Sequence, residues 1–482
     1  MKTNFSVPQN PQTLAAWCGA CLRGESRIAV TSACTDSREA ESGALFCAIR
    51  GERTDGHDYL AAAYATGSRC FLCERIPADI SAAFPDACFL QVANTVDALP
   101  RLASGFRAAC LPEIRVVAVT GSVGKTTTKE LCATVLRTDS PTFCREGNFN
   151  SVIGMPLSVL GIGTDVRTAV LEMGMSARGE ISAMSQAVHP DLAVITNIGS
   201  SHLEHLGTRE NITRAKLEIM DGMHPGGQLL FDGDEPLLRA EMPHRRQDIL
   251  VYSVSLTDPA ADFLVTDIRP EADSTLFSLR LPTGTVWNNL RVPVLLSPPL
   301  VRDAAYAAGV GFLTGMSREA VMQGLSGYRP AAMRQTLRRA GGITVLEDCY
   351  NAAPESVLAA LDTLPLLAAQ TGGRCMALLG DMKELGNDTV ALHRAIGAAC
   401  AGRLNRLWTV GELGAEIAAG AREAGMQTVR ALDPDGGGAD AGATAEELLS
   451  MLAPGDVLLI KASRAMHLET VAEAVLRDRQ TK

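Results

Sequence analysis

The run Arg115-Val-Val-Ala-Val-Thr-Gly-Ser-Val-Gly-Lys-Thr-Thr127 constrains the fold of this chain more than any other stretch. Val116 to Val119 form an apolar run that reads as a buried strand, and a turn with two glycines follows at once. From Thr126 to about Arg137 the sequence reads as a helix. Strand, glycine turn and helix in that order make a phosphate cradle, because turn N–H groups and the helix N-terminus concentrate partial positive charge. The candidate nucleotide-binding residues are Gly121, Ser122, Val123, Gly124, Lys125, Thr126 and Thr127. Lys125 would reach the β- and γ-phosphates, and the Thr126 hydroxyl would ligate Mg²⁺. The strict pattern G-x-x-x-x-G-K-[ST] is incomplete, since Val119 occupies its first glycine position. A glycine turn beside an exposed lysine is the bland alternative.

Two further apolar runs, Thr168 to Glu172 and Leu192 to Thr196, end in polar residues, as strands of a parallel sheet do where they face a ligand. Glu172 therefore falls beside the loop, and a buried carboxylate there calls for a cation or a hydrogen-bond network. A structural glutamate satisfied by protein donors is the other reading. His202 and His205 follow the second strand; their spacing leaves a metal role open, and His205 reads as a surface residue. Lys216, in Arg214-Ala-Lys-Leu-Glu-Ile, reads from its neighbours as a solvated helical lysine.

The 482 residues suffice for two to four domains. Alternating strands and helices predict an α/β protein of three domains. These are a small N-terminal α/β domain (1–112), a central P-loop parallel-sheet ATPase domain (113–328) and a C-terminal Rossmann-like domain (329–482), with a hinge at Leu111-Pro-Glu113. Expected strands include Ala44 to Ile49, Cys70 to Cys73, Cys88 to Val92, Ile343 to Leu346, Met376 to Leu379, Leu407 to Val410 and Val457 to Ile460, and a helix is expected at Val301 to Leu313. Asp433 to Gly442 reads as a surface loop.

A net charge of -10 without a long basic run argues against nucleic acid as a partner. No apolar stretch has the length of a membrane span. The apolar run Leu14 to Leu22 contains Trp17 and two cysteines and follows a single basic residue, so it does not read as a leader. A cytoplasmic, monomeric protein is expected. Two C-x-x-C pairs stand among thirteen cysteines. Cys18 and Cys21 lie in the helix-like run. Cys70 and Cys73 lie on a strand, where residues three apart face opposite ways. Core thiols are the stronger reading than a zinc site.

In order and spacing, Thr120 to Glu130, Gly147-Asn-Phe-Asn-Ser-Val-Ile-Gly-Met-Pro156, Glu172-Met-Gly174 and Asn197-Ile-Gly-Ser-Ser-His-Leu-Glu204 resemble the Mur ligases of peptidoglycan synthesis. The likeness extends to Thr35-Asp-Ser-Arg38, Gly43-Ala-Leu-Phe46, Gly51 to His57, Glu347 to Pro354 and Lys461-Ala-Ser-Arg464 with Glu469. Gly380-Asp-Met-Lys-Glu-Leu-Gly386 with His393 favours the branch that adds D-alanyl-D-alanine, and the Asn-Pro-Arg segment of the diaminopimelate-adding branch is missing.

The resemblance implies an ATP-dependent acid–D-amino-acid ligase joining D-Ala-D-Ala to UDP-MurNAc-tripeptide, in a pathway that serves cell shape and division. It implies that Ser37, Arg38, Asp55, His57, Asn351 and His393 contact substrates, and that Asn150, Arg334 and Asp348 belong to the nucleotide site. It implies two Mg²⁺ ions served by Thr126, Glu172, His202 and Lys216, with Lys216 carbamylated, and Lys125, Lys216, His202 and Glu172 as the catalytic set. The sequence departs from the family at Ser297 to Ala304, where Leu300, Val301 and Ala304 replace a His-Asn-x-x-Asn run, and at Ala353 and Ala462. Another Mur-type or folylpolyglutamate-type amide ligase, or a P-loop ATP hydrolase or switch, is the alternative.

Overall fold

Short apolar runs gather into three sheets in the computed structural model, which describes residues 1–482 except 25–27, 52, 77–82, 434–439 and 481–482. The expected loop at 433–442 thus lies largely outside the described residues. The first sheet holds β1 (Lys2–Gln9), β2 (Cys21–Gly24), β3 (Val30–Cys34), β4 (Ala44–Cys47), β5 (Cys70–Cys73) and β6 (Cys88–Gln91), in the order β1-β3-β4-β5-β6-β2. Its four central strands are parallel and its two edges antiparallel.

The apolar run at Leu14–Leu22 is not one helix. The helix Pro11–Cys18 stops where Gly19 turns to φ +69, and Cys21 opens an edge strand. Cys70 packs on one face of the sheet with Cys18, Cys47 and Cys88, and Cys73 on the other with Phe46, Phe71 and Phe89. Burial pushes the Cys18 thiol up to about 11 and Cys73 to about 12, the behaviour of core thiols rather than thiolate ligands.

The second sheet holds β7 (Arg115–Thr120), β8 (Thr142–Phe143), β9 (Thr168–Glu172), β10 (Leu192–Ile195), β11 (Gln228–Asp232), β12 (Leu250–Ser255), β13 (Phe263–Pro270), β14 (Thr275–Arg280) and β15 (Val286–Val292). Their order is β15-β14-β13-β12-β11-β10-β7-β9-β8, parallel from β8 to β13 and antiparallel beyond. β7 lies between β9 and β10, with Val119 opposite Glu172 and Thr120 opposite Ile195. The register therefore places the glycine turn, Glu172 and the 196–206 segment at one edge, where open α/β sheets hold their ligands.

The third sheet holds β16 (Thr336–Ala340), β17 (Ile343–Glu347), β18 (Cys375–Leu379), β19 (Arg406–Val410), β20 (Val429–Asp433) and β21 (Val457–Lys461), ordered β16-β17-β21-β18-β19-β20. Helices cover both faces: Pro354–Thr371 and Thr389–Cys400 on one, Ala441–Met451 and Glu469–Gln480 on the other. The helix expected from Val301 begins earlier, at Pro298, because prolines in a first turn forfeit N–H groups that have no intrahelical partner. Among the described residues no helix is long and apolar enough to cross a membrane.

Candidate active site

Only glycine fits the loop at two positions. A Cβ on Gly121 (φ +150) would lie 1.8 Å from Thr196 Oγ1, and one on Gly124 (φ +80) would lie 2.7 Å from Asp303 Oδ1. The following segment braces the loop: Val123 N donates to Asn197 Oδ1 at 3.0 Å, Thr196 Oγ1 to Val123 O at 2.5 Å and Gly199 N to Ser122 Oγ at 2.8 Å. Lys125 opens the helix Lys125–Leu136, and its Nζ donates to Gly121 O and Ser122 O at 2.8 and 3.0 Å. Burial pulls this ammonium below its usual range, against the attraction of Glu172 and Glu384. Thr127 follows in the first turn of the same helix and is half-buried.

Glu172 meets the loop as its place at the end of β9 dictates. Oε2 accepts from Thr126 Oγ1 at 2.8 Å and Oε1 from Asn150 Nδ2 at 2.8 Å. The ammonium of Lys129 stands 3.9 Å from Oε2 and is itself held by Arg145 O. Lys129 and Asn197 are site residues that sequence reading misses. The one available signal for Lys129 is its helical i+4 spacing from Lys125, which puts both on one face.

His202 sits at φ +69 with Nδ1 2.8 Å from Glu384 Oε2, while His205 is exposed, as expected. Lys216 differs from its reading as a solvated lysine. The helix Arg209–Leu217 turns it inward to 1% exposure, and no described residue forms an ion pair with it. Burial, reinforced by Lys125, drops its ammonium well below the ordinary lysine value. A buried amine whose charged form is disfavoured is the kind of nucleophile that carbamate formation needs. The hydroxyl of Thr126 and the carboxylate of Glu172 are hard oxygens of the kind magnesium takes, whereas the imidazole of His202 is a softer donor.

In the third unit, Asp348 Oδ2 accepts from Lys461 Nζ at 2.6 Å and Gln335 Nε2 at 3.0 Å. The guanidinium of Arg334 lies 4.0 Å over the Tyr350 ring. A cleft of about 640 Å³ opens beside Thr126, lined among others by Glu130, Arg137, Arg145, Arg329 and Arg334. Four guanidiniums around one cleft favour an anionic occupant. Asn351 is exposed, its Oδ1 taking the Ala352 N–H at 2.9 Å.

His393 is placed otherwise than a substrate contact requires. It is wholly buried, Nε2 accepts from Met382 N at 2.9 Å and Nδ1 lies 2.6 Å from Thr389 O, so the ring braces the 380–386 loop from behind. His57 is similar: Nδ1 is 2.6 Å from Asp55 Oδ1, and Nε2 accepts from Glu74 N at 2.8 Å. Asp55 is further engaged by Arg75 at 3.1 Å. Ser37 opens a short 3-10 turn, and Arg38, forked onto Asp36, faces solvent at 88% exposure.

The departures at 297–304 have a structural counterpart. Val301 and Ala304 are fully buried in the core of the second unit. Arg302 pairs with Asp232 and, at 2.7 Å, with Asp234. Asp303 lies against Gly124, its carboxyl pushed up to about 8 by burial.

Models of the Mur ligase family match this chain in three blocks: the catalytic domain at residues 30–107, the middle domain at 119–295 and the glutamate ligase domain at 333–464. The chain is 35% identical to the UDP-N-acetylmuramoyl-tripeptide–D-alanyl-D-alanine ligase of Bacillus subtilis (strain 168), over 92% of this chain and 93% of that protein. It is 32% identical to the Escherichia coli (strain K12) protein of that name, over 81% and 84%. Its fold is similar to MurF from Acinetobacter baumannii (TM-score 0.86, 28% identity, 98% and 99% covered). It is likewise similar to MurF ligase from Thermotoga maritima in complex with ADP (TM-score 0.80, 27% identity, 93% and 98% covered). The chain belongs to the Mur ligase family.

Proposed function

We propose that this protein adds D-alanyl-D-alanine to UDP-MurNAc-tripeptide at the expense of ATP, making a peptidoglycan precursor. The observation that carries the reading is the convergence of the glycine loop, Thr126 and Glu172, with Lys216 buried close enough to feel the charge of Lys125 and without an ion pair among the described residues. The similarity over nearly the whole length to relatives bearing that name supplies the substrates. Residues 1–112 would hold the UDP-sugar, 113–328 the nucleotide phosphates, and 329–482 the ribose side of ATP and the incoming amine. The protein would work as a cytoplasmic monomer.

A carboxylate does not condense with an amine in water, because hydroxide is a poor leaving group. Phosphorylating the carboxylate replaces that leaving group with phosphate. The chain's task is to position the reactants and to stabilise charge. Gly121 to Thr127 would wrap the triphosphate, with Lys125 exchanging its two carbonyl partners for phosphate oxygens. Asp348, held in place by Lys461, would take the ribose hydroxyls, and Arg334 a phosphate. Thr126 and Glu172 would hold one Mg²⁺, and His202 with carbamylated Lys216 a second; when bound, these ions neutralise charge on the phosphoryl and carboxylate oxygens. The amine of D-Ala-D-Ala then attacks the acyl phosphate, a C–N bond forms and phosphate departs.

Phosphate release measured with UDP-MurNAc-tripeptide, with and without D-Ala-D-Ala, tests this. Release that requires both substrates and is lost in a folded Lys125→Ala variant is expected. Release from ATP alone would point to a hydrolase and refute the ligase reading.

A further inference from the structure

The connection that leaves β17 carries Asp348 and then Glu355, which lies in the first turn of the helix Pro354–Thr371. A glutamate there ordinarily caps its own helix, whose first N–H groups have no intrahelical partner. Glu355 reaches across to the second unit instead. Its Oε1 accepts from Ser200 N at 2.8 Å and from Ser200 Oγ at 2.9 Å, and Ser200 is itself buried. A Cβ on Gly199 would stand 2.7 Å from Glu355 Cδ, so the carboxylate rests directly on that backbone. The two bonds to Oε1 hold it there although Oε2 is buried with no donor among the described residues, an arrangement that costs free energy.

Ser200 is the outer end of the segment that braces the glycine loop. Gly199 N donates to Ser122 Oγ at 2.8 Å, Ser122 N to Asn197 O at 3.2 Å and Thr196 Oγ1 to Val123 O at 2.5 Å. The second unit anchors the inner part of this strap itself, Tyr306 donating to Thr196 O at 2.9 Å and Arg209 to Ile198 O at 2.7 Å. At Ser200 the hold passes to the third unit, whose carboxylate takes both the amide and the hydroxyl. Ser200 adjoins the residue whose amide holds Ser122, so a displacement of one is felt by the other.

Resting on the phosphate loop of the ligase reading, we propose that Glu355 is a positioning residue for that loop, acting on Ser122 through Ser200 and Gly199. The loop belongs to the second unit, but part of its bracing arrives on the connection that also carries Asp348. Docking of the third unit therefore sets the loop before nucleotide binds, and the nucleotide meets a preorganised cradle. Without Glu355, only the fraction of molecules that keeps the strap in place is competent, and the apparent affinity falls with that fraction.

The test compares Glu355→Ala, Glu355→Gln and Gly199→Ala with the wild type, all as the full-length, ligand-free protein, by hydrogen exchange and mass spectrometry. Glu355→Ala is expected to speed exchange about tenfold in peptides covering 120–127 and 196–202, with the helix at 357–371 unchanged. Glu355→Gln, whose amide oxygen still accepts from both Ser200 donors, should keep most of the protection. Gly199 is not in the left-handed region, so Gly199→Ala should fold and push the carboxylate away, reproducing Glu355→Ala from the second unit's side. Calorimetric titration with Mg²⁺-ADP should show affinity about tenfold weaker in Glu355→Ala and largely restored in Glu355→Gln. Melting curves establish that each variant folds. Unchanged exchange at 120–127 in Glu355→Ala would overturn the proposal, as would faster exchange confined to the helix at 357–371 or an undiminished ADP affinity. None of these readouts needs turnover. A loop that answers to Glu355 in a protein that binds ADP but does not ligate would sink the ligase reading and leave the proposal standing.

Discussion

Thr126 Oγ1 and Glu172 Oε2 are 2.8 Å apart, joining the first turn of the loop helix to the end of β9. Glu172 is 5% exposed and its nearest ammonium is 3.9 Å away, so its charge is only partly compensated by the protein. Removing that charge while keeping the shape should cost chemistry rather than stability. Glu172→Gln is expected to lose turnover on the order of 100-fold, to need more Mg²⁺ and to melt no lower than wild type. Steady-state rates across a Mg²⁺ series, with melting curves alongside, check this. An unchanged Mg²⁺ requirement would contradict it.

Lys216 should show function opposed to stability. An amine buried without a counter-ion is costly, and methionine fills similar volume without a charge to desolvate. Lys216→Met is expected to raise the melting temperature of the ligand-free protein while abolishing most ligation, with no recovery on adding bicarbonate. Differential scanning calorimetry and product analysis decide it; retained activity removes the carbamate from the mechanism.

Asp303 predicts a pH dependence. Its carboxyl rises from 3.8 to about 8 on burial beside Gly124, so the folded protein binds a proton that the unfolded chain releases near pH 4. Stability from this group is whole below pH 4 and declines as pH rises to 8, by on the order of a few kcal/mol. Urea unfolding at pH 6 and pH 8.5 should show a smaller difference in Asp303→Asn than in wild type. Equal differences in the two proteins would contradict the assignment.

The Lys461–Asp348 pair, 2.6 Å apart with 2% and 11% side-chain exposure, predicts a large loss when one partner goes. Lys461→Met leaves Asp348 with Gln335 alone and should destabilise the protein by about 3–5 kcal/mol in urea titrations. A loss below about 1 kcal/mol would mean that the charge is solvated.

What the sequence reveals and what it hides divide along physical lines. The phosphate loop is legible because strand, glycines and helix are contiguous, and the parallel register then delivers Glu172 to it. β16 and β20 escape notice because Thr336-Leu-Arg-Arg-Ala340 and Val429-Arg-Ala-Leu-Asp433 are edge strands without a clean alternation. Lys216 cannot be recognised from its neighbours, since Arg214 and Glu218 beside it are polar; only tertiary packing turns it inward. The resemblance points to it. That likeness places His393 in the site, yet burial and two satisfied ring nitrogens set it behind the loop. Sequence cannot separate a residue that touches a ligand from one that holds the residue that does.

In the proposed mechanism the γ-phosphoryl group of ATP passes to the carboxylate of the bound precursor before the amine attacks. Ligation with UDP-MurNAc-tripeptide carrying ¹⁸O in its reacting carboxylate, followed by mass analysis of the released phosphate, measures this directly. One ¹⁸O per phosphate, appearing only when D-Ala-D-Ala and amide product are present, is the expected result. Phosphate released with oxygen from solvent alone would refute an acyl-phosphate step.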